Sequence, residues 1–578
     1  MEVLDASTAA DRATLAKEAK MRDERSYWET ITNRRLSRRG AIRGTGVAGI
    51  GLATAALVGC GDDDGDGNGS PTTANPTTPG QAQGQIAKSG GTLKLHMGGS
   101  PRSLDPHFDT FPYNTAVTNN TNERLLRFTS DLTKIETELA AKLPETPDPL
   151  TFTITLQPGI KYQNVDPTNG REFVAADVKY SIERQMTDQA GKFQHAYFFL
   201  GAVDKIEVPD ATTVSIKMKK PYAPMMSYLA SPWTVMIARE AVEKWGDLTE
   251  NAVGTGPFIL KEWQKDVKFV LAKNPDYREK GKPYVDRLEY LIAIDPETAA
   301  TLLIDKQVNG AVLGSNQKGR VQDARKDVNY QAVPSQFWRQ FRMMPTTPEA
   351  PYVKPFSDIR FREAVVRAID KKQVLDLVYN GDGVLANGPI LPIYTQWALK
   401  EELAGFDLKK ATDLMAPSGV GSFDGDLIWA TGSAEADQIG EILKQQLAKI
   451  KVNANLKPME LAAYYNLTYS YKYTFSHHVP LNNPDPDENL SSYFGRKSAF
   501  FKHNNPAIWD IIDKQAAELD LERRKAIVKQ AQEMIVKDFP MAFMFTVNLH
   551  EFTDKTVKGW FYPQDLYDGR KADAWLDV

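Results

Sequence analysis

The sequence predicts an α/β protein, and three observations carry that prediction. Asp426 to Ala430 is a short apolar run, Ile439, Ile442, Leu443 and Leu447 share one helix face, and Val452, Ala454 and Leu456 alternate. That order is strand, helix, strand, a unit that normally makes a parallel pair with a right-handed crossover, which excludes the all-α and all-β classes. Two earlier runs, Phe152-Ile154-Leu156 and Val214-Ile216-Met218, alternate at the period of a half-buried strand. Finally, 42% hydrophobic and 25% charged residues over 578 positions describe an ordinary globular chain with room for two or three domains.

The N-terminal elements concern address rather than fold. Met1 to Asn33 is polar and charged, without a durable apolar period, and reads as a leader. Arg34, Arg35, Arg38, Arg39 and Arg43 form a basic patch, and the 16 residues from Gly44 to Gly59 carry no charge. A bilayer-spanning helix needs roughly 20 apolar residues, so this is the pattern of an export signal. Leu57-Val58-Gly59 precede Cys60, the single cysteine of the chain. The group resembles a bacterial lipobox, which implies acylation of Cys60, cleavage before it, and removal of residues 1–59. Ser37-Arg38-Arg39 with Ile42 and Arg43 resembles a twin-arginine signal, which implies export in a folded state. Gly61 to Ser89 is rich in Gly, Asp, Pro, Thr and Gln and buries too little to order itself, so residues 60–89 are expected to be a flexible tether from a lipid anchor.

The folded part is expected from Gly90. Thr92 to His96 alternates as a strand, and Ser103-Leu104-Asp105-Pro106 supplies turn chemistry. Asp177 to Arg184 reads as a short helix, Gly254 to Phe258 as a tight glycine turn, and Val267 to Leu271 and Leu288 to Ile294 as strands. Phe361, Ala364, Val365 and Ala368 place one stripe on a helix running to about Val378. Two further helices are expected, one with Ile508, Ile511, Ile512, Ala516 and Leu519, the other with Ile527, Ala531 and Met534.

Chemistry-bearing motifs are few. One cysteine excludes an intramolecular disulfide framework and most thiolate metal sites, and a net charge of −4 argues against a nucleic-acid partner. Glycine patterns at Gly44 to Gly49 and at Gly381-Asp382-Gly383 lack the strand and the spaced acid of a dinucleotide site, and there is no P-loop or HExxH. His477-His478 lacks the carboxylate or cysteine cluster that completes a metal site. No catalytic residue, metal or cofactor is assigned. An exported hydrolytic enzyme on an α/β scaffold is the competing class, and the missing nucleophile and zinc motifs weigh against it.

Taken in order, GGTLKL with SLDP, FVAADVKYSIER, GTGPFILKEW with NPDYR, FSDIRFREAVVRAID, GFDLKKATDLM, NNPDPDENL and LERRKAIVKQAQEMIVKDFPMAFMF resemble the family-5 extracytoplasmic solute-binding proteins of ABC importers. That family includes oligopeptide-, dipeptide- and nickel-binding members, and the resemblance spans Gly90 to Val578. It implies a two-lobed Venus-flytrap (periplasmic-binding-protein) fold with mixed sheets and an extra inserted domain. Domain I would comprise 90–130, 251–345 and 541–578, inserted domain II 131–250, and domain III 346–540, with hinge crossings near Thr346 and Phe539-Pro540. It further implies a monomer, not an enzyme, that sits outside the cytoplasm on its lipid anchor, captures a peptide-like or other small organic solute, and delivers it to a membrane permease. In peptide-binding relatives an aspartate a few residues before the D-P-D element pairs with the ligand's α-amino group; here the corresponding position is Asn482. The implied solute therefore has no obligatory free amine, unless Asp485 or Asp487 supplies the missing carboxylate. By family position the cleft residues would be Tyr113, Trp338, Trp429, Tyr471, Asn482, Asn483, Asp485 and Phe545.

Overall fold

One mixed sheet of 11 strands runs through the protein. The computed structural model describes residues 86–109, 112–187, 193, 195–344, 354–496, 498, 501, 503–559 and 569–578. The export signal, Cys60 and most of the expected tether lie outside them.

Along the chain, β1 (Thr92–Met97) precedes α1 (Pro112–Thr121). A hairpin of β2 (Leu126–Phe128) and β3 (Ile135–Thr137) leads to β4 (Glu145–Asp148) and β5 (Thr151–Thr155). After α2 (Ala175–Met186), β6 (Val203–Glu207) and β7 (Thr213–Met218) complete an antiparallel sheet ordered β4-β5-β7-β6. Next come β8 (Phe258–Gln264), β9 (Lys268–Lys273), β10 (Arg287–Ile292), β11 (Gly310–Leu313) and the long β12 (Val328–Met343). Two helices, α3 (Ile359–Arg367) and α4 (Lys371–Tyr379), precede β13 (Gly383–Leu385) and β14 (Phe423–Ala430). Then α5 (Ala434–Ala448), β15 (Val452–Met459), α6 (Leu461–Tyr469) and β16 (Phe475–His478) follow. The last long elements are α7 (Pro486–Phe494), α8 (Pro506–Ala517), α9 (Leu521–Lys537) and β17 (Met541–Asp554). The large sheet is ordered β15-β14-β16-β12-β17-β11-β1-β10-β9-β8, with β13 also on β17.

The expected strand-helix-strand unit is present. β14 and β15 are parallel from Phe423↔Val452 to Ala430↔Met459, and α5 between them starts where the Ser433 side chain accepts from the Ala436 amide and buries Ile439, Leu443 and Leu447. The single helix expected from Phe361 to Val378 is instead two. Asp370 interrupts it, because its carboxylate caps α4 by accepting from the Gln373 amide at 2.9 Å. At Gly254 and Gly256 the backbone packs against α1's end so closely that a Cβ would lie 2.5 Å from the Thr121 carbonyl oxygen and 2.6 Å from the Thr121 carbonyl carbon, respectively.

β12 and β17, of 16 and 14 residues, tie the two ends of the sheet together. Val328 to Pro334 pair with Asp554 to Asn548, beside β11 and β1; Gln340 to Arg342 pair with Phe543 to Met541 and also with β16. The register shifts between Pro334 and Trp338 and again between Arg339 and Gln340. The change of partners thus falls inside the strands, ahead of the crossing expected near Thr346, which lies outside the described residues. The β2–β3 hairpin likewise straddles the boundary expected at 130/131. At the ends of this body, the Lys88 ammonium is 2.7 Å from the Asp577 carboxylate and donates to the Val578 carbonyl at 3.2 Å. No described helix is long and apolar enough to cross a membrane.

Candidate functional site

The stretch Phe337-Trp338-Arg339-Gln340-Phe341-Arg342 in β12 alternates its side chains between the two faces of the sheet. Phe341 and Met343 point into the hydrophobic cluster of α3–α5 and β14–β16. Trp338, Gln340 and Arg342 take the opposite face, each at most 1% exposed. Trp338 stacks on Phe543 with ring centroids 5.7 Å apart. The Arg342 Nε donates to Gln340 Oε1 at 2.7 Å, which fixes the amide, and its guanidinium lies over the Tyr493 ring, 5.3 Å from the centroid. Three polar atoms of this β12 row are buried without a hydrogen-bond partner, Trp338 Nε1, Gln340 Nε2 and Arg342 Nη2, as is Ser476 Oγ opposite Arg342 on β16. The three β12 atoms are donors; the Ser476 hydroxyl can donate or accept. Buried polar atoms are normally satisfied, so three in one row of a strand make this face the candidate site. Alternate residues on a strand are ~6.7 Å apart, so the row spans roughly 13 Å.

The neighbouring walls are aromatic and neutral. His478, opposite Gln340 on β16, takes a 2.6 Å hydrogen bond between its Nδ1 and the Tyr464 hydroxyl. Burial, then the charges of Arg342 and His477, push the His478 imidazolium pKa well below its usual value, so the ring is neutral. Burial holds the phenols of Tyr464, Tyr473 and Tyr493 above their ordinary range. On α7, Glu488 Oε1 has no hydrogen-bond partner and faces His195 Nε2, also without one, at 3.6 Å.

The loop leading into α7 is held by protein contacts. Asn482 donates from Nδ2 to the Pro389 carbonyl at 2.8 Å, and its Oδ1 accepts from the Leu391 amide at 3.2 Å and from Asn489 Nδ2 at 3.3 Å. Asp485 caps α7 by accepting from the Asp487 amide at 2.8 Å and receives both Arg524 guanidinium nitrogens, at 2.6 and 3.1 Å. Ser227 adds a 2.7 Å hydrogen bond to the same carboxylate. Asp487 accepts from Tyr222, Ser491 and Gln515, and burial raises its pKa.

The residues singled out by sequence therefore separate. Trp338 stands in the donor row. Asn482 and Asp485 brace the α7 loop, their polar atoms engaged by protein, and Asn483 donates its backbone amide to Asn489 Oδ1 at 2.8 Å. Phe545 is fully buried in the second hydrophobic cluster, edge-on to Tyr379. Trp429 donates to Asp437 at 2.8 Å and stacks on His477, placing it on the sheet face opposite the donor row. There it lines an open pocket of about 700 Å³ with Asp437, Glu441 and Pro458. Tyr471 follows α6 with φ 57° and is half-buried, and Tyr113 packs its ring on Gly98 and Gly99 just after β1. Cys60 is outside the described residues. His477 and His478 turn to opposite faces, and among the described residues no group of three His, Cys, Asp or Glu is placed to hold a metal. Gln340 and Arg342 escaped the sequence reading; they stand in a strand that also carries Gln331, Gln336 and Arg339, and nothing in the local sequence sets them apart.

Residues 134–533 match the family described as bacterial extracellular solute-binding proteins, family 5. The glutathione-binding protein of Salmonella typhimurium is 28% identical over 366 residues, 63% of this chain and 69% of that protein. A di/tripeptide-binding protein of Pseudomonas aeruginosa is 28% identical over 498 residues, covering 79% of this chain and 89% of that one. Among solved structures, the periplasmic binding protein DppA of Helicobacter pylori in complex with the peptide STSA superimposes with a TM-score of 0.74 at 22% identity, over 85% of this chain and 99% of that one. That likeness concerns the fold.

Proposed function

This chain belongs to the bacterial extracellular solute-binding proteins of family 5 and acts as a substrate receptor of an ABC importer, and from that premise we propose that it holds its solute on the β12–β16 face beneath α7. The observation that carries this reading is the row of unpartnered buried donors on Trp338, Gln340 and Arg342. Sites for small molecules are mostly apolar and aromatic with a few convergent polar groups, and here Tyr464, Tyr493 and Phe543 surround three such groups.

The relatives named for glutathione and for di- and tripeptides support a peptide-like solute. A modified peptide or another small organic molecule fits the same class; Asn482, engaged by Pro389, Leu391 and Asn489, does not bear on whether the solute has a free amine. Domains I, II and III are proposed as the moving parts, with the register shifts in β12 acting as the flexible points in place of the loops near Thr346. No chemical step is assigned to the site. The protein is proposed to work as a monomer held to the membrane surface through Cys60 after twin-arginine export, handing its solute to a permease.

Purified protein titrated with a filtrate of yeast extract tests the reading. Binding on this face is expected to shift tryptophan emission, through Trp338, and to reduce the radius of gyration as the lobes close. Trp338→Phe should remove most of the emission change and, with one donor lost, shift the scattering change to higher solute concentration. An emission change that persists in Trp338→Phe and vanishes in Trp429→Phe would move the site to the opposite face.

A further inference from the structure

The buried arginines of this protein differ in one respect that bears on the solute. Arg124, Arg325, Arg342, Arg524 and Arg570 are all at most 9% exposed. Four of them meet carboxylates: Arg124 with Glu138 at 3.0 Å, Arg325 with Asp327 and Asp554 at 2.6 Å each, Arg524 with Asp485 at 2.6 Å, and Arg570 with Glu279 at 2.6 Å. Arg342 meets none among the described residues. A guanidinium does not give up its proton in a protein, so Arg342 cannot escape the cost of burial by becoming neutral. The nearby phenols and His478 are neutral, and the Glu488 carboxylate on α7 faces His195 at 3.6 Å and makes no ion pair with Arg342.

We propose that the solute carries a carboxylate or an equally acidic oxyanion, that Arg342 receives it, and that Gln340 and Trp338 donate to acceptor atoms farther along the same molecule. This deepens the reading that the β12–β16 face holds the solute, and rests on it. The three unpartnered β12 groups are donors, so the complementary molecule is rich in acceptors along about 13 Å of strand. Charge-assisted hydrogen bonds are roughly twice as strong as neutral ones, and a planar guanidinium suits a carboxylate, so Arg342 is the selecting group. The solute class is an organic acid with a polar, acceptor-rich body, such as an N-blocked peptide acid or a sugar acid.

The test separates this inference from the site assignment. A yeast-extract filtrate is divided by anion exchange at pH 7 into retained and flow-through fractions, and each is added to wild type and to Arg342→Gln in a thermal-shift assay. N-acetyl-trialanine, which has a carboxylate and no amine, and trialanine amide, which has the reverse, serve as defined probes. The retained fraction is expected to raise the melting temperature of wild type by several degrees. The flow-through should leave it unchanged, and Arg342→Gln should lose the shift. Of the two probes, any that binds should be the acid, at least 100-fold more tightly than the amide. Ligand-free Arg342→Gln should melt at or above wild type, because the substitution removes an unpaired buried cation; a merely structural arginine would give a fall. Stabilisation by the flow-through or by trialanine amide, or a shift that survives in Arg342→Gln, overturns the acidic solute while leaving the site. So does an Arg342→Gln variant that melts lower than wild type and still responds to the retained fraction. If neither fraction shifts wild type, the site assignment itself falls, and the inference with it.

Discussion

Arg524 and Arg342 are both buried guanidiniums, yet they stand in opposite electrostatic situations. Arg524, on α9, is gripped by Asp485 through two nitrogens, and that carboxylate in turn caps α7 and receives Ser227. Arg342, on β12, has Gln340 beside its Nε and the Tyr493 ring beneath it, with no described carboxylate. The first arrangement is closed, since every strong group in it has a partner from the chain. The second is open on one side. A buried charge with its counter-ion holds elements together; one without it stores a demand that a ligand can satisfy.

The comparison is broken most forcefully at its closed half. Asp485→Ala should strand the Arg524 charge and remove the α7 cap, costing about 3–5 kcal/mol. Chemical denaturation measures this, and a loss below about 1 kcal/mol would mean that the pair is not what secures the loop.

Acid gives the next effect. Burial, as the leading cause, lowers the His107 and His477 pKa values to about 4. Between pH 6.5 and 4 the unfolded chain takes up protons that the folded chain refuses, so stability is lost as pH falls through that window, on the order of 3 kcal/mol per histidine. Arg342 contributes to the same lowering at His478. Melting curves from pH 7 to 4 should therefore show a smaller acid loss in Arg342→Gln than in wild type, and parallel curves would deny the influence of Arg342's charge.

Asn482→Asp sharpens the contrast between bracing and binding. It sets a carboxylate oxygen against the Pro389 carbonyl where an amide now donates, and should cost about 1–3 kcal/mol. Calorimetry with trialanine and its N-acetyl form should reveal no newly created preference for the amine. If such a preference appears, position 482 reaches the solute after all.

The smallest effect on the folded body is expected at Cys60→Ala, which should leave its melting temperature unchanged while releasing the protein from the membrane fraction. Retention with an unaltered mature mass would contradict anchoring at that residue.

Periodicity served the elements well and the site poorly. The β14–α5–β15 unit and the strands near Thr92, Thr151 and Thr213 were legible because one buried face imposes a local repeat. Asp370 was not read as a helix break, although a capping carboxylate competes with helix continuation. The polar residues of NNPDPDENL drew attention as site candidates, whereas Asn482 and Asp485 turned out to be engaged by Pro389, Leu391 and Arg524, partners far away in sequence. Arg342 carries no local signature of its importance. What distinguishes it is the lack of a neighbour, a property of the packed structure that composition and spacing do not encode.

The contact between Lys88 and the last two residues has a practical consequence for engineering. With the two ends of the 86–578 body this close, a short Gly/Ser bridge can join residue 578 to residue 86 and the chain can be reopened elsewhere. An opening in the exposed turn around Asp266, between β8 and β9, leaves β12, β16 and α7 covalently undisturbed. A permutant cut there would place reporter proteins on the new ends, far in sequence from the donor row, and so convert the receptor into a genetically encoded sensor.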